Sequence, residues 1–162
     1  MGAAGYTMPV PENDNVFETR GRMIQEIKVG MGGRIAEELI FDDVTTGASQ
    51  DIKQVTDTAR SMITKFGMSE KLGFINYEEN TDEVFLGRDL GHSRSFSEEV
   101  ASIIDKEVKK IVDDCYTDAK RILTENMGVL HSCASLLLEK ERISREEFEA
   151  LFKNNEADEE NL

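Results

Sequence analysis

The chain has 162 residues, of which 33 are acidic and 19 are basic, so its formal net charge is −14. This charge argues against a nucleic-acid-binding surface, because such surfaces depend on clustered lysine and arginine, and against direct docking on anionic lipid. The sequence contains no apolar run of about 18 residues and no signal peptide, so we expect a single soluble domain.

The first elements are predicted from proline and from helical spacing. Residues 5–10 contain a proline and are followed by another, which favours an edge-type extended segment because proline cannot occupy a central strand. Apolar residues recur at helical spacing from Glu18 onwards, and the glycine pair at 32–33 predicts the end of that helix. A second, short helix is predicted for residues 34–41.

The segment T-T-G-A-S-Q-D at 45–51 leads into the next helix. Ser49 is a good N-cap, and a carboxylate at Asp51 is favoured by the helix dipole and the free N–H groups of the first turn. By this local chemistry alone, Asp51 is a structural residue. Gly67 is expected at the C′ position. The apolar stripe between these ends consists of Ile52, Val55, Ala59, Met62, Ile63 and Phe66.

A polar loop is predicted from 69 to 94. Within it, residues 74–77 and 84–86 could form short extended pieces. Residues 87–96 show no periodicity.

The longest helix is predicted to begin near Ser95 or Ser97, where Ser95 and Glu98 form one candidate capping box. A nearly heptad apolar seam then continues to Asn126, over roughly 45 Å at about 1.5 Å per residue. Gly128 is expected to break the helix. A return helix follows, which predicts an antiparallel hairpin.

Ser144 and Glu147 form a second capping box and open the last helix. Residues 154–162 are polar and acidic, and their composition predicts a disordered tail after a domain covering 1–153. The expected fold is therefore mainly α: a helical bundle with a long C-terminal helical hairpin and one or two short edge strands.

The residues by themselves do not assemble a complete active site, and we assign no catalytic residue. His92 and His131 are the only histidines, and neither belongs to an H-E-x-x-H motif, which places two histidines one helical turn apart beside a general base. We expect His131 to be a partly buried, hydrogen-bonded residue and His92 to be solvated in the loop. A zinc site using His92 and Asp51 would need two further ligands.

Glu37 and Glu38 could be catalytic carboxylates, but a charged solvent face of the short helix is the plainer interpretation. The glycines at 30, 32 and 33 do not follow a predicted strand, and no Lys-Ser or Lys-Thr pair accompanies them. A phosphate loop is therefore disfavoured. A helix break or a close helix contact explains these glycines better.

The two cysteines, Cys115 and Cys133, fall on apolar faces of predicted helices. In an acidic chain without a signal peptide, this placement is typical of reduced core residues. A bridge between them remains an alternative.

Four stretches occur together and in the same order as in a known family. The chain resembles the peptidase domain of FtsH, the membrane-anchored, ATP-dependent zinc metalloprotease, from residue 5 to about 152. The segments that carry the resemblance are 5–9 (G-Y-T-M-P), 32–41 (G-G-R-I-A-E-E-L-I-F), 45–51 (T-T-G-A-S-Q-D) and 66–73 (F-G-M-S-E-K-L-G).

The resemblance implies a role for Asp51. The family binds zinc through two histidines of an H-E-x-x-H helix and an aspartate of the T-T-G-A-x-x-D segment, which corresponds to Asp51 here. The other two ligands and the general-base glutamate have no counterpart in this sequence. We therefore expect this chain alone to be inactive, as the C-terminal part of a peptidase domain.

The resemblance also implies partners and a location for the parent protein. These are ATP in a separate upstream module, membrane and unfolded cytosolic proteins as substrates, a homo-hexameric ring, and the cytoplasmic face of the bacterial inner membrane through N-terminal helices. Residues 5–10 would be the edge strand beside the cleft. The alternative from another class is a non-catalytic helical assembly module that packs into or regulates a hexameric protease ring.

Overall fold

The computed structural model describes residues 17–78 and 96–159, with side chains described through residue 153. Within these ranges the chain forms five α-helices, one 3₁₀ turn and no strand. The mainly α bundle predicted from the sequence is confirmed. The elements are α1 Arg20–Phe41, the 3₁₀ turn Thr46–Ala48, α2 Ser49–Thr64, α3 Glu98–Glu125, α4 Met127–Lys140 and α5 Arg145–Glu159.

The core lies between α1, α2 and α3. Each of these helices is amphipathic and turns its apolar face toward the other two, which is how a helix removes an apolar stripe from water. Among the described side chains of α4 and α5, only Val129 is buried. The side chains most completely withdrawn from solvent are Ile27, Ile35, Met62, Ile63, Ile104 and Cys115.

Residues 34–41 do not form a separate helix, because α1 continues without interruption through the glycine pair at 32–33. The expected break there was wrong. Tertiary packing holds α1 helical although each glycine disfavours the helix by roughly 1 kcal/mol relative to alanine. Close helix contact, the other interpretation, is correct for Gly30, where a Cβ would lie 3.0 Å from Cγ2 of Val55 on α2. At Gly33 a Cβ would meet nothing within 4 Å.

The helix ends confirm some capping predictions and correct others. The Ser97 side chain accepts a hydrogen bond from the Val100 N–H, so Ser97 opens α3. Ser144 and Glu147 form the predicted reciprocal capping box. The break after α3 falls at Asn126, not at Gly128, which lies within α4. An asparagine side chain that competes for backbone groups explains the break, since Nδ2 of Asn126 donates to a carbonyl of the preceding turn.

The turn after α2 also differs slightly from expectation. The helix ends at Thr64 with Lys65 as its cap, so Gly67 follows one residue later than the C′ position. Gly67 has a φ of +60°, a left-handed conformation that glycine adopts without a Cβ clash. The Met68 N–H then donates to the Met62 carbonyl and turns the chain back along the helix.

Several predicted elements remain open. Residues 74–77 form no strand ladder in the structure, although the Tyr77 N–H donates to the Thr64 carbonyl at 2.8 Å. The predicted extended segments at 5–10 and 84–86, and the Ser95 capping box, lie outside the described residues. The backbone of α5 continues through Glu159, past the predicted domain end at 153, because several of the added residues are good helix formers. The division of the chain at 153 stays a prediction.

None of the described helices is long and apolar enough to cross a membrane.

One ion pair fastens the segment after α2 to α3. The Glu107 carboxylate accepts hydrogen bonds from the Ser69 hydroxyl at 2.9 Å and from the Lys71 ammonium at 2.6 Å. The hydrogen bond from Lys71 lowers the pKa of Glu107 below its ordinary 4.5, against the opposing effect of burial. The Glu107 side chain is only 14% exposed, so this contact is more protected than a surface ion pair.

The two glycine environments predict opposite results for the same substitution. Gly30→Leu should lower the free energy of unfolding by about 1–3 kcal/mol, since the new side chain must displace Val55. Gly33→Leu is the matched control, and it should raise the same quantity by roughly 0.5–1 kcal/mol through helix propensity. Urea unfolding followed by circular dichroism measures both. Equal effects at the two sites would contradict the close contact.

Glu107→Gln should lower the free energy of unfolding at pH 7 by about 1 kcal/mol, because a charge-assisted contact is lost and its exposed Lys71 partner limits the effect. A carboxyl group whose folded pKa is lowered stabilises the fold above its unfolded pKa, and this contribution disappears as the pH falls through the folded pKa. The difference between variant and parent should therefore shrink below pH ~4.5. Glu125→Gln, in an exposed pair with Arg121, serves as the control with little effect at any pH.

Candidate functional site

Asp51 lies in the first turn of α2 and is exposed to solvent. The expected N-cap, Ser49, is instead the first residue of the helix, and Ala48 occupies the cap position without a side-chain hydrogen bond. The chain enters α2 through the 3₁₀ turn, whose own cap is Thr45: its hydroxyl oxygen accepts a hydrogen bond from the Gly47 N–H at 3.2 Å. The orientation of Asp51 thus depends on the turn before it.

Glu37 of α1 binds Thr45, the residue that caps the start of this turn. One carboxylate oxygen accepts the backbone N–H of Thr45 at 3.1 Å, and the other accepts the Thr45 hydroxyl at 2.9 Å. A bidentate contact to an ionised group fixes both the position and the direction of the residue that it binds. Glu37 is therefore a turn-holding residue and not simply part of a solvent face.

Arg34 completes the attachment from one helical turn earlier on α1. Its Nη1 atom donates to the Thr45 carbonyl oxygen at 2.6 Å and lies 3.9 Å from Oε2 of Glu37. Two side chains of α1 thus form hydrogen bonds with three groups of Thr45: its backbone N–H, its hydroxyl and its carbonyl oxygen. Because Ala48 at the end of the turn is buried, the turn is held at both ends.

The described residues fit one ligand of a zinc site and no more. Asp51 offers carboxylate oxygens, which bind zinc at about 2.0–2.2 Å in proteins. No group of three His, Cys, Asp or Glu side chains that could hold a metal occurs within 17–78 and 96–153. His92 lies outside the described residues, so a zinc site combining it with Asp51 stays a prediction. His131 lies on α4 and is exposed, so the expected partial burial was wrong.

The other candidates have structural roles. Glu38 points toward α3 and accepts a hydrogen bond from the Tyr116 hydroxyl. Cys115 is buried in the core as predicted, and burial raises the pKa of its thiol. Cys133 is half-buried, and both cysteines are free, so the alternative of a bridge between them is wrong.

Sequence reasoning missed Arg34 and Thr45. Thr45 and Glu37 are separated by eight residues and belong to different elements, so helical spacing does not connect them. The sequence indicated a role for Thr45 only indirectly, through its position in the segment that leads into α2.

Comparison with known proteins matches almost the whole chain. Residues 1–151 match the model of peptidase family M41. The ATP-dependent zinc metalloprotease FtsH of Ruminiclostridium cellulolyticum is 49% identical over 152 residues, which cover 94% of this chain and 25% of that protein. FtsH 1 of Thermoanaerobacter sp. is 46% identical over 154 residues, with 95% and 25% covered. FtsH of Mycobacterium tuberculosis is 47% identical over 152 residues, with 94% and 20% covered.

The chain spans about a quarter of the length of the first two of these relatives.

Glu37→Gln should loosen the turn, because one of the two accepting oxygens becomes an NH2 group that cannot accept from Thr45, and the remaining contact loses its charge assistance. We expect amide hydrogen exchange at Thr45 and Gly47 to accelerate by roughly tenfold, the size of one charge-assisted hydrogen bond. NMR-detected exchange on the 162-residue chain measures it. Glu26→Gln is the matched control, since Glu26 is paired with Arg22 on the same helix, away from the turn. Unchanged exchange in Glu37→Gln would show that Glu37 does not hold the turn.

Proposed function

The chain belongs to peptidase family M41, and from this membership we propose that it forms the helical part of a zinc endopeptidase centre in which Asp51 is one protein ligand of the metal. The proposal extends to this chain what the names of its relatives state, that they are ATP-dependent zinc metalloproteases. The observation that carries it is the attachment of the turn before Asp51 to α1, through Glu37 and Arg34.

A metal ligand needs a carboxylate that is exposed on one side and fixed on the other. Asp51 is exposed in the first turn of α2, where its carboxylate is open to a metal ion. The Thr45 contacts hold the backbone from which it projects. These contacts act on the backbone that carries Asp51 and not on its carboxylate, so they orient the ligand indirectly.

The remaining zinc chemistry belongs to groups that this sequence does not supply. It contains no H-E-x-x-H motif, so two ligands and the base that activates the attacking water would come from a segment outside these 162 residues. Zinc would polarise the scissile carbonyl and lower the pKa of its bound water. We propose that this chain alone does not hydrolyse peptides, and that Asp51 contributes to a complete centre in the parent protein.

The wider assignment follows the same family. We propose ATP-dependent degradation of protein substrates by a homo-hexamer, at the cytoplasmic face of the bacterial membrane. The second candidate function, a non-catalytic assembly module, is favoured by the apolar surface of α4 and α5. Leu138 is 88% exposed, and Leu137, Phe148 and Phe152 are also exposed. The rings of Phe148 and Phe152 contact each other edge to face with 5.3 Å between centroids, and adjacent exposed apolar side chains are typical of association surfaces.

Asp51→Ala tests the metal assignment in a complete protein. The chain replaces the matching segment of Ruminiclostridium cellulolyticum FtsH, to which it is 49% identical. We expect the variant chimera to lose bound zinc and at least ~100-fold of its peptidase activity, because a four-coordinate catalytic site needs three protein ligands. ATP hydrolysis should persist. Zinc is measured by atomic emission after gel filtration, and peptidase activity with a fluorogenic protein substrate.

Asp57→Ala is the matched control, since Asp57 is an exposed aspartate on the same helix. It should retain zinc and activity. Full zinc content and activity in Asp51→Ala would refute the assignment and leave assembly as the better explanation of this chain.

A further inference from the structure

A second polar cluster connects α3 to the end of α1. The Tyr116 hydroxyl donates to Oε2 of Glu38. The Lys120 ammonium donates to the Tyr116 hydroxyl oxygen at 3.2 Å and lies 3.6 Å from Oε2 of Glu38. It also lies 5.5 Å from the centroid of the Tyr116 ring. One oxygen of Glu38 is therefore held by two side chains of α3.

The other oxygen of Glu38 forms an ion pair with Arg34, the residue that binds the turn before Asp51. Oε1 lies 3.9 Å from Nε of Arg34, and the same guanidinium donates through Nη1 to the Thr45 carbonyl. The side chains of Arg34 and Glu38 are 27% and 28% exposed, so solvent screens their interaction less than on an open surface. A continuous series of polar contacts thus runs from α3 to the turn.

One cavity lies beside this series of polar contacts. Tyr116, Arg34 and Ala48 line one cavity between α1, α2 and α3. The half-buried Tyr116 therefore shares this cavity with the arginine that binds the turn and with the residue that ends the turn. A change at its hydroxyl can alter the polar contacts while the ring still fills the same space.

We propose that Tyr116 is a positioning residue, which fixes the Asp51-bearing turn through Glu38 and Arg34. Whether Tyr116 fixes the turn can be tested on this chain by itself. That the fixed turn orients a metal ligand rests on the proposed function. Removal of the hydroxyl leaves Glu38 free to shift toward Lys120, which weakens its hold on Arg34 and so on Thr45.

The competing explanation is that Tyr116 only docks α3 on α1. The pair Lys28–Asp118 makes a second polar link between the same helices, with Nζ 2.5 Å from Oδ2. Lys28 lies about 9 Å along α1 from Arg34, at about 1.5 Å per residue. A substitution there disturbs the docking of the helices but not the series of contacts that leads to the turn.

Tyr116→Phe and Asp118→Asn are compared in the 162-residue chain by NMR-detected amide exchange and by urea unfolding. We expect exchange at Thr45 and Gly47 to accelerate about three- to tenfold in Tyr116→Phe, a range set by the loss of one hydrogen bond. In Asp118→Asn the exchange rates of the same amides should change less than about twofold, even if the free energy of unfolding falls. Unchanged exchange in Tyr116→Phe, or equal acceleration in both variants, overturns the positioning role.

Zinc affinity in the FtsH chimera gives the second readout. Tyr116→Phe should weaken zinc binding by about three- to tenfold in a chimera that retains Asp51, a range set by the loss of one hydrogen bond. Unaltered affinity in Tyr116→Phe, in a chimera whose zinc depends on Asp51, overturns the proposal. If zinc proves independent of Asp51, the proposed function fails, while the exchange data still decide whether Tyr116 fixes the turn.

Discussion

The packing of α1 along α2 and α3 is the constraint on which the setting of Asp51 depends. Ile27 and Ile35 are 1% and 0% exposed, and Gly30 lets α1 approach Val55 to a distance that a larger residue would prevent. Burial on two neighbouring helices fixes the rotation of α1 about its axis. Every polar side chain on the remaining faces of α1 therefore has a defined direction.

The fixed rotation of α1 directs three of its polar side chains, Arg34, Glu37 and Glu38, toward different partners. They occupy neighbouring positions on α1, yet Glu37 binds the Thr45 backbone and hydroxyl while Glu38 binds Tyr116 on α3. Arg34 lies between the two carboxylates and holds the Thr45 carbonyl. Apolar burial stabilises the position of α1. The polar residues at the edge of the core then bind the exposed turn and fix its geometry.

The two C-terminal helices follow a different principle. Within the described side chains of α4 and α5, Val129 alone is buried, while Leu138 is 88% exposed. These helices contact each other more than they contact α3. Several of their apolar side chains are exposed, and no described side chain of α4 or α5 takes part in the contacts that hold the turn before Asp51.

The sequence by itself determined the helical class, most of the apolar stripe of α2, the cap at Ser144, and the family, because these depend on local periodicity and on motifs in order. It left the start of α3 open between Ser95 and Ser97, and two members of the predicted α2 stripe, Ile52 and Phe66, are exposed. Only the tertiary structure decided that α1 continues past Gly32 and Gly33, and that Thr45 is bound by Glu37. Helix propensity is a small, local free energy, so packing overrides it. Contacts between separate elements follow no sequence period, and they exist only once α1 has been oriented by its core.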